Sequence, residues 1–183
     1  MKIFLLFLVL ISTLPCMAQR TILGLKLGET RVSQAKDILK SQGISVTTGI
    51  DEDELQQNVL LYAAQPVDFG GFSWPEVSFL FTNGFIREIL FAYQSEIESV
   101  IKQRYDILEE VLLNKYGSSI SDYKQSNNHY KLMVQDERVF ITVEAWTTNT
   151  PLGNGGFMEP PTVQLKYDYY GDPIINKDGY DEL

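Results

Sequence analysis

The chain has 183 residues but only one cysteine, Cys16, and one histidine, His129. A disulfide needs two cysteines, so the chain is not a disulfide scaffold and must be held together by its hydrophobic core. One cysteine and one histidine also exclude the structural zinc sites that combine four such ligands. If Cys16 is removed with a leader, thiol catalysis is excluded as well.

Long hydrophobic runs are absent apart from a short one at the N-terminus. The first residues read MKIFLLFLVLISTLPCMAQR, with one lysine before an apolar run too short to span a bilayer. We interpret residues 1–18 as a signal peptide cut after Ala18, which predicts an exported protein, periplasmic or secreted, that starts at Gln19. The alternative is a lipoprotein anchored through Cys16, which the preceding Pro15 disfavours. No transmembrane helix is expected in the mature chain.

Positive charge is also scarce. The chain carries 15 Lys and Arg against 24 Asp and Glu, a net charge of −9. This balance argues against nucleic acid or an anionic membrane as a main partner. The hydrophobic fraction of 44% is that of a globular protein. We assign residues 19–183 to a single domain that ends in a polar tail, 171–183.

Periodic patterns predict two helices and several strands. Apolar residues at helical spacing predict helices over 30–42 and 96–116, the second with a capping box at Ser95-Glu96-Ile97-Glu98. Asn83-Gly84 lies between two alternating apolar runs and predicts a tight hairpin. Further strands are predicted over residues 58–67, 128–135, 138–147 and 162–170.

A similar order of elements runs twice along the chain. In each half a helix ends near a glycine, a hairpin-like stretch and a Gly/Phe loop follow, and proline introduces an alternating strand. The pattern predicts an α+β fold with pseudo-repeat halves at about 20–94 and 95–170. Each half is a helix-plus-three-strand unit, and the two units share an antiparallel sheet with both helices on one face.

The opening Leu25-Lys26-Leu27-Gly28-Glu29-Thr30, with Val32 and Leu39 on the next helix, resembles the start of small exported α/β modules. These include the BamE/SmpA outer-membrane assembly lipoproteins and the β-lactamase-inhibitor-protein-like fold, which duplicates such a unit. The stretch Phe69–Phe81 and the helix end Leu112–Gly117 are similar to those of exported α+β proteins of Bacteroidetes. The resemblance implies a fold and transfers no functional residue.

Candidate catalytic and metal-binding groups are isolated. His129 lies near a predicted strand start without a nucleophile elbow, and a surface-turn histidine is the favoured interpretation over a Ser–His–Asp base. The acidic run 51–54 lacks the pattern of a calcium loop and is interpreted as a solvated turn. The many acids always include some pair that would suit glycoside hydrolysis, so their number alone is not evidence for it. Packing in the core or on a sheet face is the favoured interpretation, over stacking on sugar, for Trp74, Trp146, Tyr62, Tyr93 and Tyr167. We assign no catalytic residue, metal or cofactor.

These observations favour a non-catalytic exported binding or scaffold module of the bacterial cell envelope, with an envelope protein or peptide as partner. The turn-rich loop 148–161 is the predicted binding surface, with Asn154, Phe157 and Met158 as candidate contacts. Two alternatives stay open. One is a small carboxylate-based, carbohydrate-active hydrolase, and the other is an inhibitor-like protein that binds another enzyme.

Overall fold

The fold was taken from a computed structural model that describes residues 21–49, 58–148, 150–151 and 158–172. Within these residues no helix combines the length and apolarity that a membrane span requires. The predicted leader 1–18, the acidic run 51–54 and most of the tail 171–183 lie outside the described residues.

Strands dominate the described residues, and their chain order gives the labels used below. They are β1 (Thr21–Ile22), β2 (Leu25–Lys26), β3 (Val46–Gly49), β4 (Asn58–Ala63), β5 (Val67–Phe69), β6 (Phe72–Trp74), β7 (Glu76–Thr82), β8 (Phe85–Gln94), β9 (Ile120–Gln125), β10 (His129–Asp136), β11 (Val139–Trp146), β12 (Thr150–Pro151), β13 (Met158–Glu159) and β14 (Thr162–Tyr169). Eight of them form one antiparallel sheet in the order β3–β4–β7–β8–β14–β11–β10–β9. β1–β2, β5–β6 and β12–β13 are separate two-stranded ladders.

Two α-helices lie among the described residues, α1 (Val32–Ser41) and α2 (Glu98–Tyr116). Both confirm helices predicted from periodicity. α2 is amphipathic toward the sheet, because Ile101, Tyr105, Leu108, Leu112 and Tyr116 recur at helical spacing and are buried. The predicted capping box is wrong. The helix begins at Glu98, and the Ser95 hydroxyl accepts a hydrogen bond from the amide of Ile97 at 3.1 Å.

The hairpin predicted from Asn83-Gly84 is confirmed, and so are the two strands predicted on either side of residues 136–137. Asn83 and Gly84 both have positive φ, 54° and 80°, and they join β7 to β8. A two-residue turn at Glu137-Arg138 joins β10 to β11, which pair along eight residues each. Both turns reverse the chain locally, so a few residues suffice to specify them.

The predicted α+β class with two helix-plus-three-strand units is wrong. The described residues are mostly β, with 51% strand, and they include one long helix. The added strands are largely polar. β3 and β9 lie at the two edges of the main sheet, and none of their residues is fully buried. Because an edge strand needs no apolar alternation to pair on one side, the hydrophobic pattern did not reveal these segments.

One face of the main sheet carries the core and is called here the covered face. Its side chains include Phe79, Phe91, Leu165, Val143 and Leu132, which are all buried. α2 packs on this face, where the ring centroids of Tyr105 and Tyr130 are 5.4 Å apart. α1 reaches it through the Lys36 ammonium, which donates to the Thr48 hydroxyl at 3.4 Å.

The β5–β6 hairpin also folds onto the covered face and is held there by aromatic contacts. Phe69 stacks on Phe91 with ring centroids 4.6 Å apart, and the Trp74 indole donates to the Phe69 carbonyl at 3.0 Å. Trp74 is fully buried, which confirms its predicted role in packing. Burial raises the pKa of Tyr167, on the same face, to about 12.

Candidate functional site

The opposite face of the main sheet, called here the open face, has an apolar character at one side. Strand register places Leu60 opposite Leu80, and Ser78 opposite Leu90, with all four side chains on this face. The three leucines are half-buried, although both described helices pack on the other side of the sheet. A sheet with apolar side chains on both faces is ordinarily covered on both.

These leucines line a groove of about 560 Å³ across β4, β7 and β8. Ala92 forms part of its floor, and Tyr62, which is 44% exposed, forms a wall. A Cβ added to Gly49 on the neighbouring edge strand would lie 2.5 Å from Cε2 of Tyr62. The glycine therefore leaves the space in which the Tyr62 ring lies beside the groove.

Acidic side chains stand at both ends of the groove. Glu76 pairs with Ala92, four residues beyond Glu88 on β8, so Glu76 and Glu88 are about 13 Å apart along the strand direction. Asp168 lies opposite Glu88 on β14, and the Lys166 ammonium is 3.4 Å from the Glu88 carboxylate. Within the described residues Glu76 and Asp168 form no ion pair, so the surroundings of the groove carry an excess of negative charge.

The spacing of Glu76 and Glu88 bears on the predicted hydrolase alternative. Glycosidases hold their two carboxyl groups about 5 to 10 Å apart across the scissile bond. The backbone positions of Glu76 and Glu88, the two acids that line the groove, are wider apart than this along the strands, and the Glu88 carboxylate is engaged by Lys166.

The other side of the open face combines paired polar side chains with half-buried apolar ones such as Met133, Phe140 and Trp146. His129 lies at the first position of β10, where its Nε2 is 2.6 Å from Oε1 of Glu144 and its ring stacks on Trp146 with centroids 5.2 Å apart. The nearby Ser126 hydroxyl bonds to the backbone of His129 and not to the imidazole. The histidine thus belongs to a strand and to a carboxylate pair, and the interpretation as a turn residue is wrong.

A second charged pair lies beside it, at the outer strands. Lys131 and Asp122 are 2.9 Å apart across β10 and β9. The hydrogen bond from Lys131 lowers the pKa of the Asp122 carboxyl, and the same bond raises the pKa of Lys131. These charged groups are therefore paired with each other, whereas the three leucines on the other side line the groove.

The sequence-predicted site falls elsewhere. Asn154 and Phe157 lie outside the described residues, and Met158 begins β13, where it pairs with Pro151. The aromatic residues proposed to pack or to stack on sugar divide in the structure, because Trp74 and Tyr167 are buried whereas Tyr62 lines the groove.

Sequence reasoning missed the leucines of the groove. Consecutive apolar residues in β7 and β8, Phe79 beside Leu80 and Ile89 beside Leu90, indicate apolar side chains on both faces of the sheet. This indication was missed. In the part of the chain that the structure describes, His, Cys, Asp and Glu form no group of three or more that would hold a metal ion.

Comparisons with protein families, with curated proteins and with solved structures found no match for this chain. The resemblance to small exported α/β modules therefore stays a prediction. The functional argument rests on the geometry of the open face.

Proposed function

We propose that the protein is an exported, non-catalytic binding module whose open-face groove receives an apolar, positively charged segment of another envelope protein or a peptide. The observation that carries the proposal is the row of half-buried leucines Leu60, Leu80 and Leu90 on a sheet face that lacks a described helix. Covering half of a leucine side chain is worth about 1 kcal/mol. Three of them supply a substantial driving force for association.

Charge supports the nature of the partner. Glu76, Glu88 and Asp168 surround the groove against the single Lys166, and the chain as a whole carries a net charge of −9. A segment with apolar residues between lysines or arginines complements this pattern, because opposite charges at a rim steer association and select the partner. An amphipathic helix laid into an apolar groove is a common form of such recognition.

Two synthetic amphipathic helices test the proposal, one built from leucine and lysine and the other from leucine and glutamate. Titration calorimetry should show binding of the Leu/Lys peptide and none of the Leu/Glu peptide. The double variant Leu80→Asn with Leu90→Asn should weaken binding by roughly tenfold or more. Both replacements are neutral, so the charge of the groove is unchanged.

The matched control is Met133→Asn, a half-buried apolar residue on the same open face at its other side. This variant should bind the Leu/Lys peptide like the wild type. Equal loss in both variants, or no loss in the groove variant, would contradict the proposal. Binding of an apolar dye at the leucines without any binding of peptide would assign the groove to a small ligand instead.

Export is the second part of the proposal and rests on the N-terminal sequence. Mass spectrometry of the protein produced in a bacterial host should find a mature chain that begins at Gln19. A diacylglyceryl group on Cys16, or an intact Met1, would contradict cleavage after Ala18.

A further inference from the structure

β9 forms one edge of the main sheet and carries two exposed large side chains among its polar ones. Ile120 is 46% exposed and Tyr123 is 50% exposed. Edge strands of soluble proteins are commonly short, charged or covered, since a free edge pairs with other chains. The opposite edge, β3, fits that rule with four residues, of which two are threonine and one is glycine. The exposed Ile120 and Tyr123 of β9 therefore favour pairing of this edge with another chain.

The ladder with β10 determines which backbone groups of β9 remain available. The Ser126 amide donates to the His129 carbonyl at 2.9 Å, and antiparallel bonding alternates along a strand. Asp122 and Lys124, opposite Met133 and Lys131, therefore bond to β10 as well. The N–H and C=O groups of Tyr123 and Gln125 therefore point away from the sheet, whereas Ser121 lies at a register shift, where this alternation is interrupted.

If a second copy of β9 lies antiparallel with Tyr123 opposite Tyr123 of the second copy, the outward N–H and C=O groups of the two tyrosines bond to each other. The same register places Asp122 opposite Lys124 of the second copy, twice. Within the described residues Lys124 forms no ion pair, so this contact would engage its charge.

We propose that the protein forms a symmetric dimer by antiparallel pairing of β9 with β9 of a second copy, in the register centred on Tyr123. A lysine commonly protects a free edge, but here it lies opposite Asp122 of the second copy, a carboxylate that also contacts Lys131 of its own chain at 2.9 Å. On the covered face, Tyr123 lies near Glu109 of α2. Leu113, one turn further along α2 and 37% exposed, extends the apolar surface beside it.

The dimer is independent of the proposed groove function. The groove lies on β4, β7 and β8, and three strands, β14, β11 and β10, separate β8 from β9. Pairing through β9 joins the two sheets end to end and leaves both grooves free. A failure of dimerisation and a failure of peptide binding would therefore be observed separately.

Two charge reversals test the register. Lys124→Glu places acids opposite acids in the dimer, and Asp122→Lys places lysines opposite lysines. Each variant alone should dimerise on the order of tenfold more weakly than the wild type in sedimentation-velocity experiments. Mixed together, they should form a heterodimer of near wild-type affinity, because every acid then faces a lysine.

Lys40→Glu at the end of α1 is the control, since it changes the net charge as Lys124→Glu does but lies far from β9. It should dimerise like the wild type, and circular dichroism should show each variant folded. A wild type that stays monomeric at every concentration overturns the proposal. So does a dimer that neither reversal weakens, or a mixture that forms no heterodimer.

Discussion

The ring of Tyr62 lies against the backbone of Gly49, so close that a Cβ on the glycine would lie 2.5 Å from Cε2 of the ring. The contact joins the edge strand β3 to β4 and sets the position of an aromatic side chain that is 44% exposed. A tyrosine held in this way forms a fixed wall for the groove. Tyr62 is exposed because strand register places it on the open face of the sheet.

The first prediction concerns this contact. Gly49→Ala should displace the Tyr62 ring, because the added methyl group needs the space that the ring occupies. Affinity for the Leu/Lys peptide should fall roughly threefold, whereas the free energy of unfolding should change by less than about 1 kcal/mol at this edge position. Gly117→Ala is the control, since a Cβ there meets no atom within 4 Å. Unchanged peptide affinity in Gly49→Ala would show that Tyr62 is not part of the binding surface.

The second prediction concerns Arg104 of α2, which joins the helix to the β5–β6 hairpin. Its guanidinium carbon lies 3.8 Å from the ring centroid of Tyr93, 4.6 Å from that of Phe72 and 5.2 Å from that of Trp74. It also donates to the Ser73 carbonyl at 3.2 Å. Partial burial lowers the pKa of Arg104.

Arg104→Gln should lower the free energy of unfolding by about 1 to 2 kcal/mol, because several cation–π contacts are lost together. Urea unfolding followed by tryptophan fluorescence measures this free energy, because Trp74 lies next to the substitution and reports on the region. Lys115→Gln is the comparison, since the Lys115 ammonium stands over a single ring, that of Tyr116, at 5.4 Å. An equal effect of the two substitutions would show that the three-ring arrangement adds nothing.

The third prediction contrasts two neighbouring residues of α2. Leu112 is 6% exposed and Val111 is 56% exposed. Leu112→Ala should destabilise the fold by about 2 to 4 kcal/mol, because it leaves a cavity between helix and sheet. Val111→Ala should change stability by less than about 0.5 kcal/mol. Thermal or urea unfolding measures the loss of stability in each variant. Similar losses in the two variants would mean that α2 does not pack in this orientation.

The fourth prediction is a dependence on alkaline pH. Burial raises the pKa of Tyr167 to about 12, whereas an unfolded tyrosine titrates at about 10. Since the folded pKa is the higher one, Tyr167 contributes stability below about pH 10 that is lost as the pH rises toward about 12. The free energy of unfolding of the wild type should fall by about 2 to 3 kcal/mol over this range because of Tyr167. The variant Tyr167→Phe should not show this decrease. If the free energy of unfolding changed with pH in the same way in both proteins, the buried phenol of Tyr167 would not be the cause of the alkaline destabilisation.

Local patterns predicted the elements that depend on neighbouring residues. The Asn83-Gly84 turn and the apolar spacing of α2 specify their structure within a few residues, and both are present. β3 and β9 were missed because their side chains are exposed and their strand form comes from pairing with β4 and β10. Such pairing depends on long-range contacts that a hydrophobic pattern does not contain.

The candidate site was beyond sequence reasoning for a related reason. The turn-rich sequence of the loop 148–161 led to its prediction as the binding surface, because loops frequently carry functional residues. Leu60, Leu80 and Leu90 come together only when β4, β7 and β8 pair in the observed register. Each leucine alone is an ordinary strand residue, and their shared face appears only once the covered side of the sheet is known.

The most direct test of the groove is a titration with the Leu/Lys peptide followed by leucine methyl resonances. Leu60 and Leu61 are consecutive residues on opposite faces of β4, so they form an internal comparison. The methyl signals of Leu60, Leu80 and Leu90 should shift and saturate together, while those of Leu61 and Leu165 on the covered face should stay in place. Shifts centred on Leu113 of α2, or no saturable shift at the three groove leucines, would contradict the proposed binding surface.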